Sequence, residues 1–371
     1  MKKREKIIIF GGSFDPIHNS HILLCENSIK AIFPDRLILV PSKNPRWKNP
    51  TETIEDRLNM IKLILNDYSL DFEIEDCEIK SRKDVDYTIE TIEFLKDKYK
   101  NGEFFMLIGA DQVNKFHLWR KAHEIAEEVQ IIYYQRPGYI INENNVSIYK
   151  MKEIPGTLVD TSSTKIRDLQ SLDTSLSVIN YIVDNKLYFM NKITKYISGR
   201  RLEHSISVAN LAYKVALNNR LENPGNYYLA GLIHDLGKNI SEDESDELME
   251  KYFKNYENMP KFAHHQFIGY ILAIKEFGIT NKEILNAIKF HCTGHKDMSS
   301  LGKIIYACDK IEPTRGYDSD YMIDAMMKDY EKGFLLVLSE NIKFINNKIN
   351  NEVLTSDPLT EECIKAYLNK N

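Results

Sequence analysis

The chain has 371 residues, 43% of them hydrophobic and 28% charged; the length suits two domains, each with its own core, and the balance excludes a disordered chain. A net charge of -5 argues against a broad nucleic-acid surface, and no stretch approaches the roughly 18 apolar residues of a membrane span, so neither nucleic acid nor a bilayer is an expected partner. The five cysteines (Cys25, Cys77, Cys292, Cys308, Cys363) are scattered without a C-x-x-C pair, which fits a reducing cytoplasm better than a disulfide framework or a thiolate zinc site.

The opening MKKREK is basic, but the apolar run IIIF meets Gly11 and Gly12 before a signal-peptide core could form. KIIIF reads as a strand, the residues from about Ile17 to Phe33 as a helix, RLILVPS as a strand, DRLNMIKLIL as a helix and DFEIEDCEI as a strand. TIETIEFLKDKY, FFMLIGAD and VQIIYYQRPG continue the alternation, which predicts an α/β, doubly wound parallel sheet with helices on both faces. Short helices follow from SSTKIRDLQ to VINYIVDNKLYF. Beyond NKITKYISGRR the strand signal ends, and HSISVANLAYKVALNN, YYLAGLIHDLGK, HQFIGYILAIKEFG, KEILNAIKFHC and LGKIIYACDKI carry apolar residues at helical spacing. The second half therefore reads as all-α, with a boundary near Met190 that divides the chain into residues 1–190 and 191–371 and no Gly/Ser/Pro-rich linker between them.

Gly11 and Gly12 end a strand and precede a helix, where backbone N–H groups can approach an anion at the positive helix end. His18 and His21 are three apart and share one face of that helix's first turns, so phosphate is the natural guest. DTSSTKIR offers hydroxyls and amides at a second helix start with Arg167 a turn later; taken alone it is equally a good N-cap with a surface arginine. In the helical half His204, His234-Asp235, the pair His264-His265, His291, His295 and Asp309 come from separate helices, an imidazole and carboxylate mixture suited to Fe or Mn, although any one of them could be a satisfied core histidine.

GGSFDPIHNSH with SSTKIR resembles the nucleotidyltransferase superfamily, and YTIETI, LIGADQ, HLWR and QRPGY narrow the likeness to nicotinate-nucleotide adenylyltransferases over roughly residues 5–189. That resemblance implies a Rossmann-like fold and transfer of AMP from Mg-ATP to nicotinate mononucleotide. It implies His18, His21 and Arg167 as catalytic groups on the ATP phosphates. Gly11, Gly12, Ser13, Phe14, Gly109, Asp111, Ser162, Ser163 and Thr164 complete the ATP site, and Lys48, Tyr87, Thr88 and Trp119 face the mononucleotide. Two departures stand out: PSKNPRWK lacks the usual P-P-H-K ending, and Ser20 replaces the glycine normally found between the two histidines.

RLEHS, LIHDLGK, FHCTGH and ACDKIEPTR resemble the HD phosphohydrolase superfamily, in particular its bacterial symmetrical bis(5'-nucleosyl)-tetraphosphatases of the YqeK-like kind, over roughly residues 192–371. The likeness implies two divalent metals, Fe or Mn, held by His204, His234, Asp235, His265, His291 and Asp309, with Asp235 shared and catalytic. His265 is preferred to His264 because it stands four residues before Gly269. Arg201, Lys238 and Arg315 would neutralise diadenosine tetraphosphate on its way to two ADP. Other acceptors (nicotinamide mononucleotide or phosphopantetheine), another nucleotide for the HD half, a nucleotide-sensing role for that half, and a homo-oligomer all stay open at this point.

Overall fold

The computed structural model describes residues 4–43, 50–81, 87–135, 140–156, 161–254, 256–350 and 357–368. Lys48, Asp160 and most of QRPGY lie outside the described residues. The chain divides into two compact units, Met1–Thr164 with Ser177–Asp184, and Lys165–Leu176 with Asn185–Asn371. The segment Lys165–Leu176, assigned above to the first domain, counts with the second unit, as do residues 185–190. Its local reason is close packing there: the Gln170 side-chain amide donates to the Phe277 carbonyl, and the Leu172 carbonyl sits where a Cβ on Gly225 would come within 2.3 Å.

In the first unit the strands β1 (Glu5–Gly12), β2 (Arg36–Pro41), β3 (Glu73–Ile74), β4 (Gly102–Gly109), β5 (Gln130–Tyr134) and β6 (Lys152–Glu153) form a six-stranded sheet in the order β3-β2-β1-β4-β5-β6, parallel at every pairing. Ile7, Ile8, Ile9 and Phe10 of β1 are all buried, as a central parallel strand covered on both faces requires. The helices that matter for the site are α1 (Asn19–Ile32), α2 (Ile54–Asp67), α3 (Thr88–Lys98), α4 (Ala110–Lys115) and the start of α5 (Ser163–Arg167), whose residues from Lys165 on count with the second unit. On one face Ile89, Ile92 and Leu95 of α3 pack in a cluster with Ile7, Ile9, Ile38, Phe104 and Met106.

DFEIEDCEI is shorter as a strand than its pattern predicts: only Glu73 and Ile74 pair with β2, and a helical turn begins at Cys77. The physical reason is its edge position, where Glu73 and Glu75 bind Arg36 and Lys98 instead of packing a second apolar face.

The second unit is helical among its described residues. Its main elements are α6 (Gly199–Asn218), α7 (Pro224–Ile233), α8 (His264–Lys275), α9 (Lys282–Lys289), α10 (Ser300–Ile311), α11 (Tyr330–Asn350) and α12 (Pro358–Tyr367). Val208, Ala212, Val215, Leu229, Leu232, Ile288, Ile304 and Ile305 are buried at the helical spacing read from sequence. Among the described residues no helix is long and apolar enough to cross a membrane.

Candidate functional site

Strand order reverses between β1 and β4, and in such a sheet the crevice beyond the carboxyl ends of those two strands receives the ligand. Phe10 pairs with Leu107, so Gly11 and Gly12 emerge beside Ile108 and Gly109 at this opening. Gly11 is exposed, and a Cβ there would meet nothing closer than the Val40 carbonyl at 4.0 Å. Packing within the fold therefore makes no demand for glycine at that position, whereas close approach of a ligand to the backbone would.

His18 is the N-cap of α1, and its backbone N–H donates to His21 Nδ1 at 3.2 Å. A neutral His21 that accepts at Nδ1 carries its proton on Nε2. The two imidazoles stack with centroids 3.7 Å apart. Phe14 is buried with its ring edge-on to Phe10 and His21, so its side chain supports the histidine and only its backbone is available to a nucleotide. Ser20 is buried on the inner side of α1, a position that favours a small side chain.

Ser163 reaches back to this loop, its hydroxyl donating to the Pro16 carbonyl at 2.9 Å. Ser162 and Thr164 flank it, and Arg167 ends the same short helix α5. Asp111 stands in the first turn of α4 directly after Gly109 and accepts from the Gln112 amide at 2.7 Å. Tyr87 and Thr88 begin α3, and Arg120 covers the Tyr87 ring at 4.4 Å. Trp119 packs against Phe116, and its Nε1, shielded from solvent, has no hydrogen-bond acceptor among the described residues.

Sequence reading missed Arg57. It is 1% exposed, and its Nη1 donates to the carbonyls of Ser13 at 2.6 Å and Ser42 at 2.8 Å, while Nη2 reaches the Lys43 carbonyl at 3.4 Å. This guanidinium ties the loop after β1 to the loop after β2. The signal was present: the buried face of α2 is Arg57, Met60, Ile61, Ile64 and Leu65, a charged residue inside an apolar helical stripe.

In the second unit two clusters of side chains able to hold a metal share one carboxylate. His204, His234 and Asp235 form one group with ligand atoms within 4.8 Å of one another, and Asp235, His265 and His291 form the other. Asp309 closes the first, 3.2 Å from His204 Nε2 and 3.6 Å from His234 Nε2. Close backbone approach creates this arrangement: a Cβ on Gly237 would lie 2.4 Å from the His265 carbonyl, and one on Gly269 would lie 3.1 Å from the His234 carbonyl. The two glycines let the His234-Asp235 turn press against α8.

The tautomers fit metal ligation. His234, His265 and His291 each direct Nδ1 at a backbone carbonyl three residues earlier (Gly231 at 2.7 Å, Phe262 at 2.8 Å, Ile288 at 2.8 Å), an arrangement in which the Nδ1–H tautomer of each ring turns Nε2 inward as a metal donor. His234 Nε2 is buried without a hydrogen-bond partner among the described residues. Burial, with the neighbouring His291 and Lys238, pushes the His265 pKa down to about 3, and burial lowers that of His291 as well. Burial alone would raise Asp235, but His234 and His291 outweigh it and hold the carboxyl well below its usual range.

His204 differs. Its Nδ1 lies 2.8 Å from Glu312, and although burial opposes its charge, Asp309 and Glu312 raise its pKa to about 9. Glu312 is thus an outer carboxylate that orients His204, a role not assigned from sequence. Lys310 is a second addition: its Nζ donates to the His291 carbonyl at 3.0 Å and lies 3.5 Å from Asp309.

Of the cations predicted to meet substrate, Arg201 binds Asp235 at 2.8 Å, Arg315 binds Asp309 at 2.6 Å, and Lys238 Nζ lies 3.4 Å from His265 Nδ1. His264 faces elsewhere, its Nε2 3.2 Å from the Met259 carbonyl and its Nδ1 3.8 Å from Asp246.

The cytidylyltransferase-like family pattern matches residues 9–169, and the HD domain pattern matches residues 201–314. Over 356 residues the chain is 29% identical to a Mycoplasma genitalium protein named probable nicotinate-nucleotide adenylyltransferase/Ap4A hydrolase, a match covering 93% of this chain and 99% of that one. The probable nicotinate-nucleotide adenylyltransferase of Aquifex aeolicus is 37% identical over 168 residues, 43% of this chain and 99% of its own length. A solved structure of a predicted HD superfamily hydrolase involved in NAD metabolism, from Clostridium acetobutylicum, is 29% identical, covers 49% of this chain and 97% of its own, and superposes with a TM-score of 0.43.

Proposed function

The chain belongs to the nicotinate-nucleotide adenylyltransferase family and joins that half to an HD domain, and on this premise we propose a bifunctional, cytoplasmic enzyme of nucleotide metabolism. Its first half transfers AMP from ATP to nicotinate mononucleotide, giving nicotinate adenine dinucleotide and pyrophosphate. Its second half cleaves diadenosine tetraphosphate symmetrically to two ADP. The functional division falls near residue 190.

For the transfer, the acceptor's phosphate attacks the α-phosphorus of ATP in line, so no protein nucleophile is needed. His18 and His21 line the phosphates at the start of α1, with His21 Nε2–H as a donor toward them; this rests on the Nδ1 contact to the His18 backbone. Gly11, Gly12, Ser13 and the backbone of Phe14 admit the nucleotide closely, Gly109 and Asp111 meet its adenosine, and Ser162, Ser163, Thr164 and Arg167 hold the far phosphates. Tyr87, Thr88 and Trp119 take the mononucleotide; the indole N–H that lacks an acceptor among the described residues supports this role for Trp119. Lys48 is assigned here by its place in the family motif alone. Mg²⁺ accompanies the ATP and offsets charge on the transferring group.

The observation that carries the hydrolase half is the sharing of Asp235 between two histidine groups. Such a donor set fits two divalent ions, Fe or Mn, which when bound supply an activated water and a clamp on phosphate oxygens. Asp309, His204 and His234 would hold one ion, His265 and His291 the other, with Asp235 between. Arg201, Lys238 and Arg315, now turned to the ligands, stand where they can also neutralise a polyphosphate.

The test uses the full chain. Mg-ATP is offered with nicotinate mononucleotide, nicotinamide mononucleotide or phosphopantetheine, and diadenosine tetraphosphate is offered with Mn²⁺ or Fe²⁺. Preferred turnover of phosphopantetheine would sink the transferase reading. Inorganic phosphate released from a nucleoside monophosphate, with no ADP from the dinucleotide, would sink the hydrolase reading. Asp235→Ala should abolish hydrolysis and leave adenylyl transfer intact; a changed transfer rate would mark the HD half as a regulator instead.

A further inference from the structure

The structure assigns to Gln266 a positioning role: it sets His291 against His265, and α12 closes the same loop from its other side. This rests on the two-ion reading above. Gln266 is fully buried and follows the ligand His265 on α8. Its Oε1 accepts the backbone N–H groups of Cys292 at 3.0 Å and Thr293 at 3.3 Å, and its Nε2 donates to the Thr293 hydroxyl at 3.1 Å. One side chain thereby joins the helix bearing one ligand to the two residues immediately after the other. Thr293 and His291 are each 1% exposed, so water is not available to replace these bonds.

The residues following Thr293 are held by α12, which lies beyond the matched HD region. Gly294 has φ of 75°, and a Cβ there would come within 2.6 Å of Cys363 Sγ, so glycine satisfies both the left-handed backbone and the close seat of α12. One turn further along α12, Tyr367 Oη accepts the Met298 N–H at 2.9 Å. The loop from Cys292 to Met298 is clamped between Gln266 and these α12 groups, and His291 sits at its root. A ligand so placed cannot drift from its partner without breaking several buried hydrogen bonds.

The test is metal retention rather than turnover. Full-length protein loaded with Mn²⁺ is dialysed against a graded chelator and its metal content per chain measured, and the Co²⁺-substituted protein is followed by its visible absorption. Gln266→Met, which keeps the volume and removes both acceptor and donor, should weaken one of the two ions by about tenfold or more and alter the Co²⁺ spectrum. Gln266→Glu, which keeps the acceptor, should recover most of that loss. Tyr367→Phe should loosen the same ion to a smaller extent, and it carries the test should Gln266→Met fail to fold. Retention of both ions at wild-type affinity in Gln266→Met, or in Tyr367→Phe if that variant alone folds, overturns the assignment. A wild-type chain that binds no metal overturns the two-ion reading and the assignment together, so the two failures are told apart.

Discussion

His265 Nε2 lies 3.1 Å from His291 Nε2, and each ring commits its other nitrogen to a backbone carbonyl, Phe262 for one and Ile288 for the other. Two ring nitrogens that face each other while their partners on each ring point at carbonyls suit a shared metal site, whereas the adjacent His264 turns to Met259. His265→Ala should therefore lower affinity for one metal by more than the roughly tenfold to hundredfold that losing an outer partner costs, while His264→Ala leaves metal content unchanged, as atomic absorption on dialysed protein would read.

Gly237 touches the His265 carbonyl so closely that no Cβ fits. Gly237→Ala should destabilise the second unit by about 1–3 kcal/mol through overpacking. Calorimetry would show a lowered unfolding transition alongside unchanged adenylyl transfer; an unshifted thermogram would refute the close-packing account.

Arg57 holds the Ser13, Ser42 and Lys43 carbonyls from inside the first unit. Replacing it by Ala leaves these partly buried carbonyls without their donor and should reduce kcat/KM for ATP by about tenfold or more, with Arg57→Lys intermediate because one charged donor group survives. Steady-state kinetics with the far-ultraviolet spectrum as a folding control measure this.

Ser20 stands at the second position of α1, buried and small. Ser20→Gly, which restores the family's usual residue, should change adenylyl transfer little and cost the helix at most about 0.5 kcal/mol. A large gain in rate would show that the serine displaces the histidines from the phosphates.

At the sheet edge burial alone would raise Glu73, yet Arg36, Tyr99 and Lys98 prevail and lower its pKa. A carboxyl lowered on folding stabilises the protein above its unfolded value near 4.5 and loses that contribution as pH falls through the lower folded value. Because the Arg36 and Glu73 side chains are 39% and 38% exposed, solvent screening keeps the effect under about 1 kcal/mol. Glu73→Gln should flatten the acid limb of a urea-unfolding series slightly; an unchanged limb would remove the pair from the pH dependence.

Much of this protein was legible in one dimension because the physics involved is local. Continuous apolar runs such as Ile7 to Phe10, alternating with stretches of period 3.6, announced a parallel sheet followed by helices, and Gly11, His18, His21 and the His234-Asp235 pair lay in short contiguous motifs. What needed the folded chain were relations between distant segments. Strand order decided that Gly11 and Gly109 open on one crevice, packing through Gly237 and Gly269 decided that Asp235 lies between two histidine groups, and side-chain direction separated His265 from His264. Arg57, Gln266, Lys310 and Glu312 passed unread for the same reason: each acts on backbone carbonyls, amides or imidazoles far away in sequence, and residue type and spacing carry no record of which distant group a buried polar atom will meet.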